Sequence, residues 1–169
     1  WGFGARSTGA VGGAHASYLG ENPGDQLGTV LESFDVTGDG VPDLLARTTS
    51  GELRLYTMTS SIGFGWSLVV GSDWSGATSI TGTGAVNADG NADVLALRSD
   101  GSVRLYRGTG PGALNFYDTV LTGQDDLAQL LGVGDFSGDG PADILARGRD
   151  GRLLTRAAQQ MQSVTEPRP

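Results

Sequence analysis

The chain has 169 residues, enough for one ordinary domain with a buried core. Its 29 glycines and only 18% charged residues predict many short elements joined by tight turns, and argue against long helices or a solvated disordered chain. A net charge of −8 and an estimated pI of 4.4 repel phosphate backbones and anionic membranes, so the sequence predicts no nucleic-acid partner.

The first ten residues, WGFGARSTGA, lack the basic and apolar regions of a secretory leader, and no apolar run approaches the roughly 20 residues of a membrane span. His15, the only histidine, sits in GGAHASYLG without a cysteine or motif nucleophile beside it, and is expected at a surface or loop position. VLESFDV (30–36) reads as a strand running into the acidic loop DVTGDGVPD (35–43), and DLLAR (43–47) as the strand leaving it. ELRLY (52–56) follows a Ser-Gly hairpin signal, and the aromatic spacer GFGWSLVVG (63–71) supplies a fourth strand. Beyond the loop-like GSDWSG (71–76) the plan returns as AVNADGNAD (85–93), DVLAL (93–97), SVRLY (102–106) and LNFYDTVLTG (114–123). It returns again as LLGVGDF (130–136), DFSGDGPAD (135–143), DILAR (143–147) and RLLTR (152–156), before a polar tail at 157–169 with no periodicity.

Self-similarity at a fixed period implies stacked units that bury a core only together. Asp39, Asp89 and Asp139 stand fifty residues apart, as do Asp43, Asp93 and Asp143, and the turn glycines Gly51, Gly101 and Gly151. The repeats span about 30–60, 80–110 and 130–156, and residues 1–29 read as the end of a preceding unit or a closing strand. Leu-Leu-Ala, Val-Leu-Ala and Ile-Leu-Ala are apolar at consecutive positions, which predicts strands covered on both faces. In LRLY and VRLY, by contrast, Arg54 and Arg104 alternate with apolar residues. Four strands per fifty-residue unit is what a propeller blade requires, so the fold class is all-β, built of antiparallel four-stranded blades.

The acidic loops read as sites for a hard cation, which takes six to eight oxygens. In the first copy oxygens fall at alternate positions: Asp35, Thr37, Asp39, the carbonyl of Val41, and Asp43. The third copy offers Asp135, Ser137, Asp139, the carbonyl of Pro141, and Asp143. In the middle copy Ala85 replaces the first aspartate and leaves Asn87, Asp89, Asn91 and Asp93, either a weaker site or a loop that keeps its shape without an ion. Two unit charges 4 Å apart repel by roughly 4 kcal/mol at an effective dielectric of about 20, and a dication reverses that sign. At millimolar Ca²⁺ and extracellular-module affinity, each site adds about 0.4–1.4 kcal/mol. An EF-hand is ruled out, because its position 12 requires glutamate and is held here by Ala46, Ala96 and Ala146.

Asp-x-Thr/Ser-Gly-Asp-Gly-x-x-Asp followed by an apolar strand and a later DGxLxLY-type hairpin resembles the FG-GAP (VCBS) repeats of integrin-α-like β-propellers. Such repeats also occur in secreted bacterial proteins and propeller lectins. The resemblance is close over 35–56, 85–106 and 135–156 and loose in the spacers. It implies structural Ca²⁺ at the loop joining the first two strands of each blade, with the ligands named above. It also implies secretion, and a ring of six to eight blades, so three repeats are expected to belong to a longer chain, a multi-chain assembly or an array capped by a partner.

No catalytic constellation emerges, and the sequence predicts a binding module with no enzymatic activity. Sugars stack on aromatics beside polar groups, which makes Trp74, Tyr56 and Tyr106, with Arg54 and Arg104, the candidate ligand contacts. Phe64, Trp66, Phe116, Tyr117 and Arg107 lie in or near the same spacers, where core-filling between blades is the competing expectation. The expected partner is a glycan, as for a secreted lectin-like module; the alternative is another protein, as for an interaction scaffold without sugar binding.

Overall fold

The computed structural model describes residues 27–59, 63–86, 89–110, 112–139 and 142–157. Every element among them is a strand: β1 (Leu27–Phe34), β2 (Asp43–Thr48), β3 (Leu53–Thr59), β4 (Gly63–Gly71), β5 (Ala77–Gly84), β6 (Asp93–Arg98), β7 (Val103–Gly108), β8 (Leu114–Leu121), β9 (Leu127–Gly134), β10 (Asp143–Gly148) and β11 (Leu153–Ala157). They form three antiparallel meanders, β1 to β4, β5 to β8 and β9 to β11, so the expected four-stranded blade is present twice and its first three strands a third time.

The apolar runs explain how the sheets stack. On β6, Val94 and Ala96 enter a cluster with Leu45, Leu53, Leu55 and Trp74, while Leu95 and Leu97 enter another with Leu127, Leu130 and Ile144. All four β6 side chains are at most 2% exposed. The central strand thus buries both faces, and each buried Val or Leu contributes about 1.5–3 kcal/mol of transfer free energy. β3 behaves differently: Leu53 and Leu55 face the second sheet, so the alternating Arg54 and Tyr56 stand on the opposite face.

The first strands of the sheets lie side by side, β5 packing against both β1 and β9. The small, polar composition of β5, ATSITGTG, suits that proximity. The Leu130 N–H donates to Ser79 Oγ at 3.0 Å and the Gly132 N–H to Thr81 Oγ1 at 2.7 Å, tying neighbouring sheets together. A Cβ on Gly132 would collide with the Gly82 carbonyl, and one on Gly82 with the Phe34 ring, so glycine is required at both.

Each linker folds back on the hairpin turn of the sheet it leaves: the Trp74 N–H donates to the Gly51 carbonyl at 2.9 Å, and the Gln124 N–H to that of Gly101 at 2.8 Å. The far face of the third sheet is uncovered among the described residues. Leu153 is 62% exposed there, whereas Leu53 and Val103, at the same place in the repeat, are fully buried under the following sheet. No helix among the described residues is long and apolar enough to cross a membrane.

Candidate functional site

The acidic loop of the first sheet is held open by its own backbone. Gly38 and Gly40 adopt φ of 80° and 84°, a left-handed conformation that turns consecutive N–H groups inward. Asp35 accepts three of them, from Gly38 at 2.6 Å, Asp39 at 3.1 Å and Gly40 at 2.8 Å, and Asp39 accepts the Val41 N–H at 2.8 Å. Asp43 is held by a different set of donors. It is fully buried, and its carboxylate accepts the N–H groups of Val36 at 3.1 Å, Thr37 at 3.0 Å and, across the sheet, Met58 at 3.2 Å.

The pattern repeats. Asp93 accepts the N–H groups of Val86 at 2.8 Å and Gly108 at 3.0 Å, and Asp143 accepts that of Ser137 at 2.7 Å. Burial pushes the Asp93 carboxyl above its ordinary value, against the pull of those two N–H groups and of Arg107. Asp135 accepts the Gly138 N–H at 2.7 Å, and Asp89 the Asn91 N–H at 2.8 Å. Asp39, Asp89 and Asp139 are exposed. Asn87, Pro141 and His15 lie outside the described residues, as do residues 1–26 and 158–169.

Mutual repulsion is therefore relieved locally: each of the first loop's carboxylates has its own N–H donors. Among the described residues no three His, Cys, Asp or Glu side chains converge into a group able to hold a metal ion. One atom does match a cation's needs. Thr37 Oγ1, at the third position of the loop, is buried and has no hydrogen-bond partner. A buried hydroxyl without a partner is costly, and a hard cation would supply one. In donor chemistry the loop fits Ca²⁺ through Thr37, the exposed carboxylate of Asp39 and the Val41 carbonyl, with Asp35 beside them and Asp43 bracing the loop from below.

The second position of each loop has a role that motif spacing does not disclose. Val36 and Val86 are buried in the clusters shared with the next sheet, whereas Phe136, with no such sheet over it among the described residues, is 74% exposed. The loops thus connect strand ends to inter-sheet packing.

A second feature lies between the first two sheets. A cavity of about 320 Å³ is lined by β4, the linker and β7–β8, with Trp74, Tyr106, Phe116 and Arg104 at its wall and Asp73 at its rim. Trp74, in a polar loop by sequence, is only 3% exposed and stacks on Tyr106 with centroids 4.3 Å apart. Phe116 meets Tyr106 edge-on at 5.7 Å and is 57% exposed. Arg104 sits 5.9 Å from the Phe116 centroid, within cation–π range. Asp73 is paired with Arg98 at 3.7 Å.

Three of the predicted ligand contacts, Trp74, Tyr106 and Arg104, therefore share one cavity. Tyr56 and Arg54 do not line it; Arg54 stands on the far face of the first sheet, 3.3 Å from Glu52. Trp66 and Tyr117 are exposed on the outer strands, Tyr117 covered by the Arg107 guanidinium at 3.4 Å. Phe116, which completes the wall, is brought opposite Tyr106 by a register shift in β7–β8, whereas Tyr56 is opposite Ser67 in β3–β4.

Comparison with known families matches residues 86–146 to the FG-GAP-like repeat. No curated protein matches the chain. Repeats of this kind characteristically form β-propeller-like binding or structural modules rather than enzymes. The matched segment runs from the middle loop through β6 to β9 into β10, and its loop and strand features recur fifty residues earlier; over these residues the chain is similar to an FG-GAP-like repeat.

Proposed function

We propose that this interaction module recognises carbohydrate at the cavity between the first and second sheets, and that Ca²⁺ in the acidic loops stiffens the scaffold. The observation that carries the carbohydrate reading is the aromatic wall: Trp74 and Tyr106 are buried against each other with rings tilted by 34°, and Phe116 stands edge-on to Tyr106, exposed to solvent beside a guanidinium. Preorganised aromatic faces take the apolar side of a pyranose ring with little ordering cost. A volume near 320 Å³ is at the small end of ligand sites and suits one sugar unit. Thr37 Oγ1 supports the calcium reading, and millimolar Ca²⁺ outside cells makes secretion the matching location.

The exposed apolar face of the third sheet, with Leu153, Phe136 and Val133, favours a second reading in which the partner is a protein. A glycan array probed with the wild type and Phe116→Ala, each with and without EDTA, separates the two. Sugar signals lost in Phe116→Ala and weakened by EDTA support the first. A flat array together with a co-purifying protein supports the second.

A further inference from the structure

We infer that the ligand of the inter-sheet cavity is an acidic sugar, a pyranose bearing a carboxylate that pairs with Arg104; this rests on the carbohydrate reading above. Arg104 Nε is buried and has no hydrogen-bond partner. Leaving a charged donor buried and unpaired is expensive, and a carboxylate is the acceptor that matches a guanidinium's planar fork.

The repeats show why this cation stands open. Arg54, fifty residues earlier, is matched by Glu52 at 3.3 Å. In the second repeat Ser102 replaces that glutamate and is turned toward Asp100, its Oγ 2.6 Å and its N–H 2.9 Å from Asp100 Oδ1. These bonds, the side-chain one foremost, together with the nearby charges of Arg104 and Arg98, hold the Asp100 carboxyl below its ordinary value, but Asp100 gives Arg104 Nε no hydrogen bond. In the third repeat Leu154 takes the arginine's place, and Gln124 stands where Trp74 would be. An arginine whose Nε has no hydrogen-bond acceptor and an aromatic wall therefore coincide between the first and second sheets. The acidic group at the rim, Asp73, is largely exposed and already faces Arg98, so its repulsion of an incoming anion is offset and screened.

The test titrates the full chain by calorimetry with methyl glucuronoside, methyl glucoside and cyclohexanecarboxylate as probes. Roughly tenfold tighter binding of the glucuronoside than of the glucoside is expected, weakening with added salt. Ser102→Glu, at the position equivalent to Glu52, recreates the first repeat's ion pair and should abolish the preference while leaving glucoside binding intact. Arg104→Gln should likewise abolish the preference for the acid over the neutral sugar. Equal affinity for acid and neutral sugar overturns the acidic-sugar inference and leaves the carbohydrate reading standing. Binding of neither sugar overturns both. Cyclohexanecarboxylate binding as tightly as the glucuronoside overturns the sugar requirement and makes the site one for carboxylates at large.

Discussion

Replacing Asp43 with alanine separates the two jobs that one acidic motif performs. The side chain is fully buried, and its carboxylate holds three backbone N–H groups, those of Val36, Thr37 and Met58, at 3.0–3.2 Å. Alanine leaves three donors without acceptors where water has poor access, at about 1–3 kcal/mol each, so a loss of about 3–9 kcal/mol is expected. Asp39 is exposed and accepts a single N–H, from Val41, so Asp39→Ala should cost about 0.5–1 kcal/mol when no metal is bound. Against a typical stability of about 5–15 kcal/mol, the first change brings the protein near unfolding and the second does not. Urea unfolding in EDTA reads both, and Asp43→Asn, which keeps one acceptor oxygen, should fall between them. Equal losses at the two positions, or a loss below about 1 kcal/mol for Asp43→Ala, would refute the bracing role.

Thr37→Val removes the partnerless hydroxyl while nearly conserving its shape. Stability in EDTA should be unchanged or slightly higher, and the part of the calcium-induced rise in melting temperature due to this loop, about 1–5 °C, should vanish. Gly132→Ala drives a methyl into the Gly82 carbonyl, backbone that cannot swing aside, and should lower stability by about 1–3 kcal/mol in thermal melts. Burial raises the Glu32 carboxyl above 4.5, so the folded state holds this proton more tightly than the unfolded chain. The resulting stabilisation is full at low pH and is lost as pH rises from about 4.5 through the raised value; Glu32→Gln should remove that loss and be the more stable form at neutral pH in pH-dependent unfolding curves.

The stacked-sheet architecture was legible because its physics is periodic. Asp43, Asp93 and Asp143 each open a central strand, and the consecutive apolar residues that follow bury both faces when a sheet lies on either side, as on β6. Directions of side chains were less legible. Spacing placed Asp43 among the loop's oxygens but did not disclose that its buried carboxylate also meets the Met58 N–H across the sheet. Trp74 reads as a loop tip in GSDWSG, yet the linker's return to Gly51 folds it into the core. The role of Phe116 depends on a local register shift that no motif announces. The contrast between Glu52 and Ser102 is visible in the aligned repeats and gains meaning only when Arg104 Nε is seen to lack a hydrogen-bond acceptor.

The most direct test of cavity recognition is an NMR titration of the ¹⁵N-labelled chain with a sugar identified on the array, following the Trp74 indole N–H and the amides of Arg104 and Phe116. The account predicts that these signals shift together and saturably while the amides of Asp35 to Asp43 stay in place. Shifts confined to the acidic loops, or to the face bearing Leu153 and Phe136, would contradict it.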